Sequence, residues 1–249
     1  MNRCQRLAVV AVLPLLFAPR LLSQEKKEWI VLLGPGSELD AWKTPTGAWE
    51  IGSDVSLDPK ESRRLVAKPG SGVIIQADRR GKGRNLLSKE SFGDLEISVD
   101  FLIPKGSNSG VKFHGHYEIA IEDSWGVTKL KGSDCGGVYP RAEALPRYHH
   151  IDNGIPPLVN ACKAPGEWQK LEAIFIAPRF NDKGEKIVNA RLRKAHLNGM
   201  LIHDNVELKN PTSADWKKKE FPTGPLYLQA DHGGVAFRDV RVRPYGQAK

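Results

Sequence analysis

Four side chains in one short stretch, Lys112, His114, Glu118 and Glu122, could between them move protons: an ammonium, an imidazole and two carboxyl groups. They can act together only if they face the same way. The stretch from Asn108 to Asp123 reads NSGVKFHGHYEIAIED, two alternating runs, Gly110 to His114 and Tyr117 to Glu122, separated by Gly115-His116. Alternation of this kind predicts two strands joined by a tight turn. With Val111, Phe113, Ile119 and Ile121 pointing into a core, Lys112, His114, Glu118 and Glu122 share the opposite face. The solvated side of any half-buried sheet has the same pattern, so further residues must decide whether this face is a site.

Glu118 and Glu122 are four residues apart on one strand, which separates their backbone positions by roughly 13 Å. Glycoside cleavage with retention needs two carboxyl groups about 5 to 5.5 Å apart, so a partner has to come from another strand. The segment Gln229-Ala230-Asp231-His232 can supply one, since Gln229 and Asp231 share a face opposite Leu228 and Ala230. A β-turn whose Asp and His bond only to backbone fits those residues equally well. Gly-x-Ser-x-Gly is absent, which removes the nucleophile elbow of serine hydrolases. His114 and His116 would share a face only if the strand ran straight through Gly115, His149 and His150 diverge, and Cys135 and Cys162 lack the paired spacing of a zinc site. No metal or other cofactor is implied, although loop carboxylates leave room for an oxygen-rich cation site.

The positioning elements are short. From Lys27 to Leu87, apolar runs such as Trp29 to Leu33, Trp49 to Ile51 and Gly72 to Ala77 alternate with turn residues, and Gly81-Lys82-Gly83-Arg84 reads as an exposed turn because no GK[ST] ending follows. Leu95, Ile97, Val99 and Phe101 alternate with Glu96, Ser98 and Asp100, a half-buried strand whose polar face is expected to join that of Lys112 and Glu118. Trp168 to Ile176, Asn189 to Leu197, Met200 to His203, Leu226 to Ala230 and Val235 to Val242 complete the strands, with Asn198-Gly199 a hairpin turn. Between them, residues 124–167 are rich in Gly and Pro yet carry Trp125, Tyr139, Arg141, Glu143, Arg147, Tyr148, His149, His150, Asp152 and Asn160, and read as loops folded over a site. Many short strands without a long amphipathic helix predict an all-β sandwich or jelly roll.

A chain of 249 residues, 40% hydrophobic and 27% charged, can bury one sizeable core, so residues 24–249 are expected to form a single domain. Residues 1–23 differ: Arg3 and Arg6 precede an apolar run from Leu7 to Ala18, too short to span a bilayer and laid out like a secretory signal peptide ending near Ser23. Its removal leaves no membrane insertion and lowers the net charge from +8 to about +5, since Arg3, Arg6 and Arg20 go with it. That charge is scattered, and Lys217-Lys218-Lys219 lacks interleaved aromatic residues, so no nucleic-acid partner is expected. Two cysteines stay in the exported chain, Cys135 and Cys162, a candidate disulfide.

Several short motifs occur together in order: Leu39-Asp-Ala-Trp42, Asn108-Ser-Gly-Val111, Tyr117-Glu-Ile119 with Asp123-Ser124, Gly136-Gly-Val-Tyr139, Pro165-Gly-Glu-Trp168, Leu197-Asn-Gly199, Leu228-Gln229 and Phe237-Arg238. In this the chain resembles the 3-keto-disaccharide hydrolase family over nearly all of its length after the leader. It departs from the family pattern at Ala120, where Gln is frequent, at His114, and in the Ala-Asp-His-Gly-Gly loop after Gln229. The resemblance implies a concanavalin-like jelly-roll sandwich with long loops over a concave face, and an exported, periplasmic or extracellular enzyme acting on 3-keto-glycosides. A ketone acidifies the neighbouring C–H, so a base can remove that proton, the glycosidic oxygen leaves by elimination, and added water completes hydrolysis. Hydrolase, lyase and hydratase variants of this chemistry all fit. The roles then implied are Glu118 or His114 as base and Asp231 or His232 as acid. Lys112, Glu122, Tyr139, Arg141, Glu143, Gln229 and Arg238 are implied as substrate or enolate ligands. A non-catalytic, lectin-like carbohydrate-binding module and a cell-surface adhesion domain are the competing readings.

Overall fold

Cross-strand alternation organises the computed structural model, which describes residues 28–36, 39–43, 49–77 and 84–246. The leader expected at residues 1–23 and the turn at Gly81-Lys82-Gly83 lie outside the described residues. Strands β1 (Ile30–Leu33), β2 (Glu50–Leu57), β3 (Leu65–Gln76), β4 (Leu86–Phe92) and β5 (Leu95–Leu102) come first, followed by β6 (Asn108–Phe113) and β7 (Tyr117–Glu122). Two very short strands, β8 (Ala142–Glu143) and β9 (His149–His150), pair within the long loop region. The chain then runs through β10 (Gln169–Ile176), β11 (Arg179–Phe180), β12 (Lys186–Val188), β13 (Ala190–Leu197), β14 (Met200–Leu208), β15 (Gly224–Leu228) and β16 (Val235–Pro244). Its fold is all-β, as the spacing of apolar runs predicts. No helix among the described residues is long and apolar enough to cross a membrane.

Two antiparallel sheets carry the architecture. The larger runs β14-β13-β10-β5-β16-β3-β2, with β1 paired to β16, and the smaller runs β4-β15-β6-β7. Their inner faces meet in one apolar core, to which the large sheet gives Ile97, Val99, Phe101, Phe175 and Phe237, and the small one Val111, Phe113, Ile119, Ile121, Leu226 and Leu228. Phe113 stacks on Phe175 across the gap, with ring centroids 4.8 Å apart. A second cluster, Val55, Leu65, Val73, Ile75, Leu102 and Ala236, covers the other face of the large sheet. Neighbours along one strand, Phe101 and Leu102 or Phe237 and Ala236, thus serve different cores.

This layering corrects one expectation. The polar side of β5 lies on the outer face of the large sheet, where Glu96 pairs with Arg243 at 2.6 Å and Asp100 pairs with Lys170. It cannot join the polar face of β6 and β7, because the whole core stands between them. Strand β4 is the element the pattern missed: its central residues Lys89, Glu90 and Ser91 are all exposed, so it has no clean alternation.

The Phe113–Phe175 stack is the contact that joins the sheets above the site. Phe113→Ala is expected to cost about 3–5 kcal/mol of unfolding free energy, measurable as a lower urea midpoint with an unchanged slope.

Candidate functional site

The β6–β7 hairpin closes one residue earlier than its sequence suggests. His114 and Gly115 take the two left-handed corners, with φ of 52° and 72°, and the His116 N–H donates to the Phe113 carbonyl at 3.0 Å. The strand therefore ends at Phe113, and His114 does not share the face of Lys112. Its buried ring lies edge-on to Phe175 at 5.0 Å, with Nε2 3.3 Å from the Gly93 carbonyl, and burial lowers its pKa.

Beyond that turn, register arranges the outer face of the small sheet in three rungs. Tyr227, Lys112 and Glu118 form the first, since Lys112 is opposite both Tyr227 and Glu118. Gly110 and Ala120 form the second, beside Gln229, whose N–H donates to the Gly110 carbonyl at 2.9 Å. Asn108 and Glu122 form the third, and Asn108 also bridges to His232. The middle rung is low because its residues are small. A Cβ on Gly110 would sit 2.6 Å from Oε1 of Glu118, so the Glu118 carboxylate can lie over this position only because it is glycine.

Lys112 Nζ and Glu118 Oε2 are 2.8 Å apart, with side chains only 7% and 3% exposed. Burial opposes the ammonium, but the adjoining Glu118 carboxylate outweighs it and raises the Lys112 pKa. The loops supply the remaining partners. Thr212 Oγ1 accepts the Glu118 N–H at 3.1 Å and donates to the His116 carbonyl at 2.9 Å. Residues 136–139 continue the sheet beyond β7, with the Tyr139 N–H donating to the Glu118 carbonyl at 3.1 Å. Two adjoining hollows result. One, of about 220 Å³, is lined by Asn108, Glu118, Tyr139, Tyr148, Ser213, Gln229 and His232. The other, of about 420 Å³, shares Ser213, Gln229 and His232 and adds Lys112, His114, His116, Asp215, Tyr227 and Asp231.

The sheet's end brings a second charged pair to this cleft. Asp231 Oδ1 is 2.6 Å from Nδ1 of His232, and its Oδ2 accepts from Asn85 Nδ2 at 3.2 Å. Burial alone would raise the Asp231 carboxyl, but the bonds from His232 and Asn85 hold it at about 2. On the other side, His116 Nδ1 is 3.7 Å from Asp215, where burial is likewise outweighed, by His116 and Lys218, and the carboxyl again lies at about 2. Burial pushes both phenols up, Tyr139 with help from Tyr148 and Glu118, Tyr227 with help from Asp231 and Glu118, so both stay protonated donors. Gln229 is 7% exposed, its Nε2 is 3.2 Å from His232 Nδ1, and its Oε1 is buried with no hydrogen-bond partner among the described residues. An acceptor buried without a donor costs free energy that a ligand hydroxyl would recover.

Of the residues expected from the sequence, Lys112, Glu118, Tyr139, Gln229, Asp231 and His232 converge on the cleft, and His114, packed inward against Phe175, still reaches the wall of the larger hollow. Four do not. Arg238 is on the outer face of the large sheet, its guanidinium 4.0 Å from the Trp168 ring centre and its Nε 3.5 Å from Asp100. Arg141 is held by Asp152 at 2.7 Å and lines a separate hollow beyond Tyr139, while Glu143 pairs with Lys217 at 2.8 Å. Glu122 contacts Asn108 at the cleft's edge. Cys135 and Cys162 are both free thiols in this structure. Sequence reasoning placed Tyr148 only in the loops over the site and gave no substrate role to Asn108, His116, Ser213, Asp215 or Tyr227. Tyr227 was legible, since it alternates with Gln229, whereas Ser213 and Asp215 come from an irregular loop without periodicity. From the lysine triplet, the largely exposed Lys218 reaches Asp215 at 2.8 Å, on the cleft wall. No group of three or more His, Cys, Asp or Glu side chains among the described residues is arranged to hold a metal ion.

A family model described as a 3-keto-alpha-glucoside-1,2-lyase-like domain matches residues 28–243. Two solved structures of candidate glycosyl hydrolases from Parabacteroides distasonis are similar. One is 21% identical, covering 87% of this chain and 84% of its own, with a TM-score of 0.65. Another is 18% identical, covering 88% of this chain and 100% of its own, with a TM-score of 0.55. At such identities the likeness is one of fold. Among curated proteins the sequence has no significant match.

Two outcomes follow from this geometry. Gly110→Ala is expected to displace the Glu118 carboxylate and lower stability by about 1–3 kcal/mol, read by chemical denaturation. The folded carboxyls of Asp215 and Asp231 lie at about 2, below the ordinary value of about 3.9. Their ionised forms therefore stabilise the fold above pH ~4, and that contribution is lost as pH falls from ~4 through ~2. Asp231→Asn should lower the melting temperature at neutral pH and make its decline across that acid range shallower.

Proposed function

We propose, from the premise that this chain belongs to the 3-keto-alpha-glucoside-1,2-lyase-like family, that it cleaves 3-keto-glycosides by elimination across C1 and C2, with hydration completing net hydrolysis. The observation that carries this reading is the convergence of the Lys112–Glu118 pair, the Asp231–His232 pair and the unpartnered carboxamide oxygen of Gln229 on one cleft.

The division of labour follows from the geometry. Glu118 takes the C2 proton made acidic by the ketone, and Lys112, already in contact with it, stabilises the enolate oxygen. As Glu118 is neutralised, negative charge appears on the substrate, so Lys112 exchanges one anionic partner for another without an unpaired charge in a buried site. Asp231, ionised down to about pH 2, is no proton donor; it orients His232, whose imidazolium gives a proton to the departing glycosidic oxygen as the C1–O bond breaks. Gln229 and the protonated phenol of Tyr139 bind sugar hydroxyls. The basic and apolar layout of residues 1–23 supports work outside the cytoplasm, and N-terminal sequencing of protein recovered outside the cytoplasm should begin near Gln24.

The test compares 3-keto-glycosides with the parent glycosides. Wild type should turn over only the keto forms. Glu118→Gln should lose roughly 10²–10⁴-fold in kcat with KM little changed, and His232→Asn should lose most for substrates with poor leaving groups. Saturable sugar binding by wild type with no turnover of any keto-glycoside would make the protein a carbohydrate-binding module instead.

A further inference from the structure

Residues 136–161 bring Tyr139 and Tyr148 to the cleft, and a cysteine stands at each end of the segment. Cys135 is buried in the main core, and the half-buried Cys162 packs against that core, close enough for the two thiols to shift each other's pKa. Their backbones are tied to one residue. The Cys135 N–H donates to Ser124 Oγ at 3.1 Å, Asn160 Nδ2 donates to the Ser124 carbonyl at 2.8 Å, and the Cys162 N–H donates to Asn160 Oδ1 at 3.1 Å. Cys162 Sγ also lies 3.7 Å from the carbonyl of Glu122, the last residue of β7.

We propose that Cys135 and Cys162 are a disulfide-forming pair that, when oxidised, closes the two ends of the segment over the cleft on each other. The segment has little regular structure beyond β8 and β9, so its position relies on scattered hydrogen bonds, and a covalent closure removes freedom from its unfolded and partly opened forms.

The oxidant is a small disulfide acting by thiol–disulfide exchange. Cys162 reacts first, because it is the more exposed thiol and its pKa is held at about 7, chiefly by the neighbouring Cys135 thiol and against its own burial. Its thiolate bonds to one sulfur of the oxidant and displaces the other as a thiolate. Cys135 then gives up its proton and attacks the Cys162 sulfur, releasing the second thiolate. Two protein thiols lose two electrons and two protons, and one oxidant disulfide becomes two thiols.

The experiment equilibrates the reduced full chain with oxidised and reduced glutathione, blocks free thiols, and maps peptides by mass. The expected product joins the Cys135 and Cys162 peptides with loss of two hydrogens, leaves Cys4 unpaired, and raises the melting temperature by roughly 5–10 °C. Proteolytic cutting within 136–161 should slow several-fold in the oxidised form, and Cys162→Ala should abolish both effects while its reduced form melts like reduced wild type. Two free thiols in folded protein at an oxidising poise would overturn the proposal. So would a glutathione adduct on Cys162 that never resolves, or a cross-link that leaves cutting of the segment unchanged. None of these readouts depends on sugar turnover, so they stand apart from the proposed reaction.

Discussion

The buried contact between Lys112 and Glu118 constrains the rest of the small sheet. Two charges that are 7% and 3% exposed are tolerable only as partners, since removing either leaves the other unpaired in a poorly solvated place. Their meeting requires that Lys112 be opposite Glu118, which fixes the β6–β7 register, and that the carboxylate lie over Gly110, which fixes that residue as glycine. A slip of one residue would drive Lys112 toward Phe175 and expose Phe113. Hydrophobic and ionic demands therefore specify the same pairing, and the hairpin turn at His114-Gly115 closes around it.

Stability and chemistry are divided between the two faces of this sheet. Its inner face is dry and aromatic, locked by the Phe113–Phe175 stack, while its outer face holds charge in shallow rungs under loops. The large sheet has its own polar outer face, built from similar residues, yet there Asp100, Lys170 and Arg238 are matched to one another and to Trp168 and line neither cleft hollow. Charged residues on a strand thus carry no functional meaning until the layer they face is known. Both faces leave buried polar atoms without a hydrogen-bond partner among the described residues, but on the large sheet these are N–H groups of Trp168 and Arg238, whereas in the cleft one is an acceptor, the Gln229 carboxamide oxygen.

Electrostatics separates groups that look alike in a list of acids and bases. Asp231 and Glu118 are both carboxylates of the cleft, but Asp231 is tied to His232 and Asn85, whereas Glu118 contacts an ammonium that can move its interaction to a new anion. His114 and His232 are both imidazoles, but one is packed against Phe175 and reaches only the larger hollow, whereas the other lines both. Position in the fold, rather than residue type, separates these groups.

The sequence by itself determined the class of fold, most strands, and the pairing face of Lys112 and Glu118. Those follow from local rules: alternation with a period of two and Asn-Gly at the β13–β14 turn. It also pointed to Gln229, Asp231 and His232, because the alternation of β15 continues into them. Only the tertiary structure decided which sheet each polar face belongs to, and so it removed Arg238 and the β5 acids from the site. It also supplied His116, Ser213 and Asp215, which lie in turns and irregular loops that no period describes. The physical reason is that alternation reports which residues share a face of one strand, while the stacking of sheets and the path of loops depend on contacts between segments far apart in the chain.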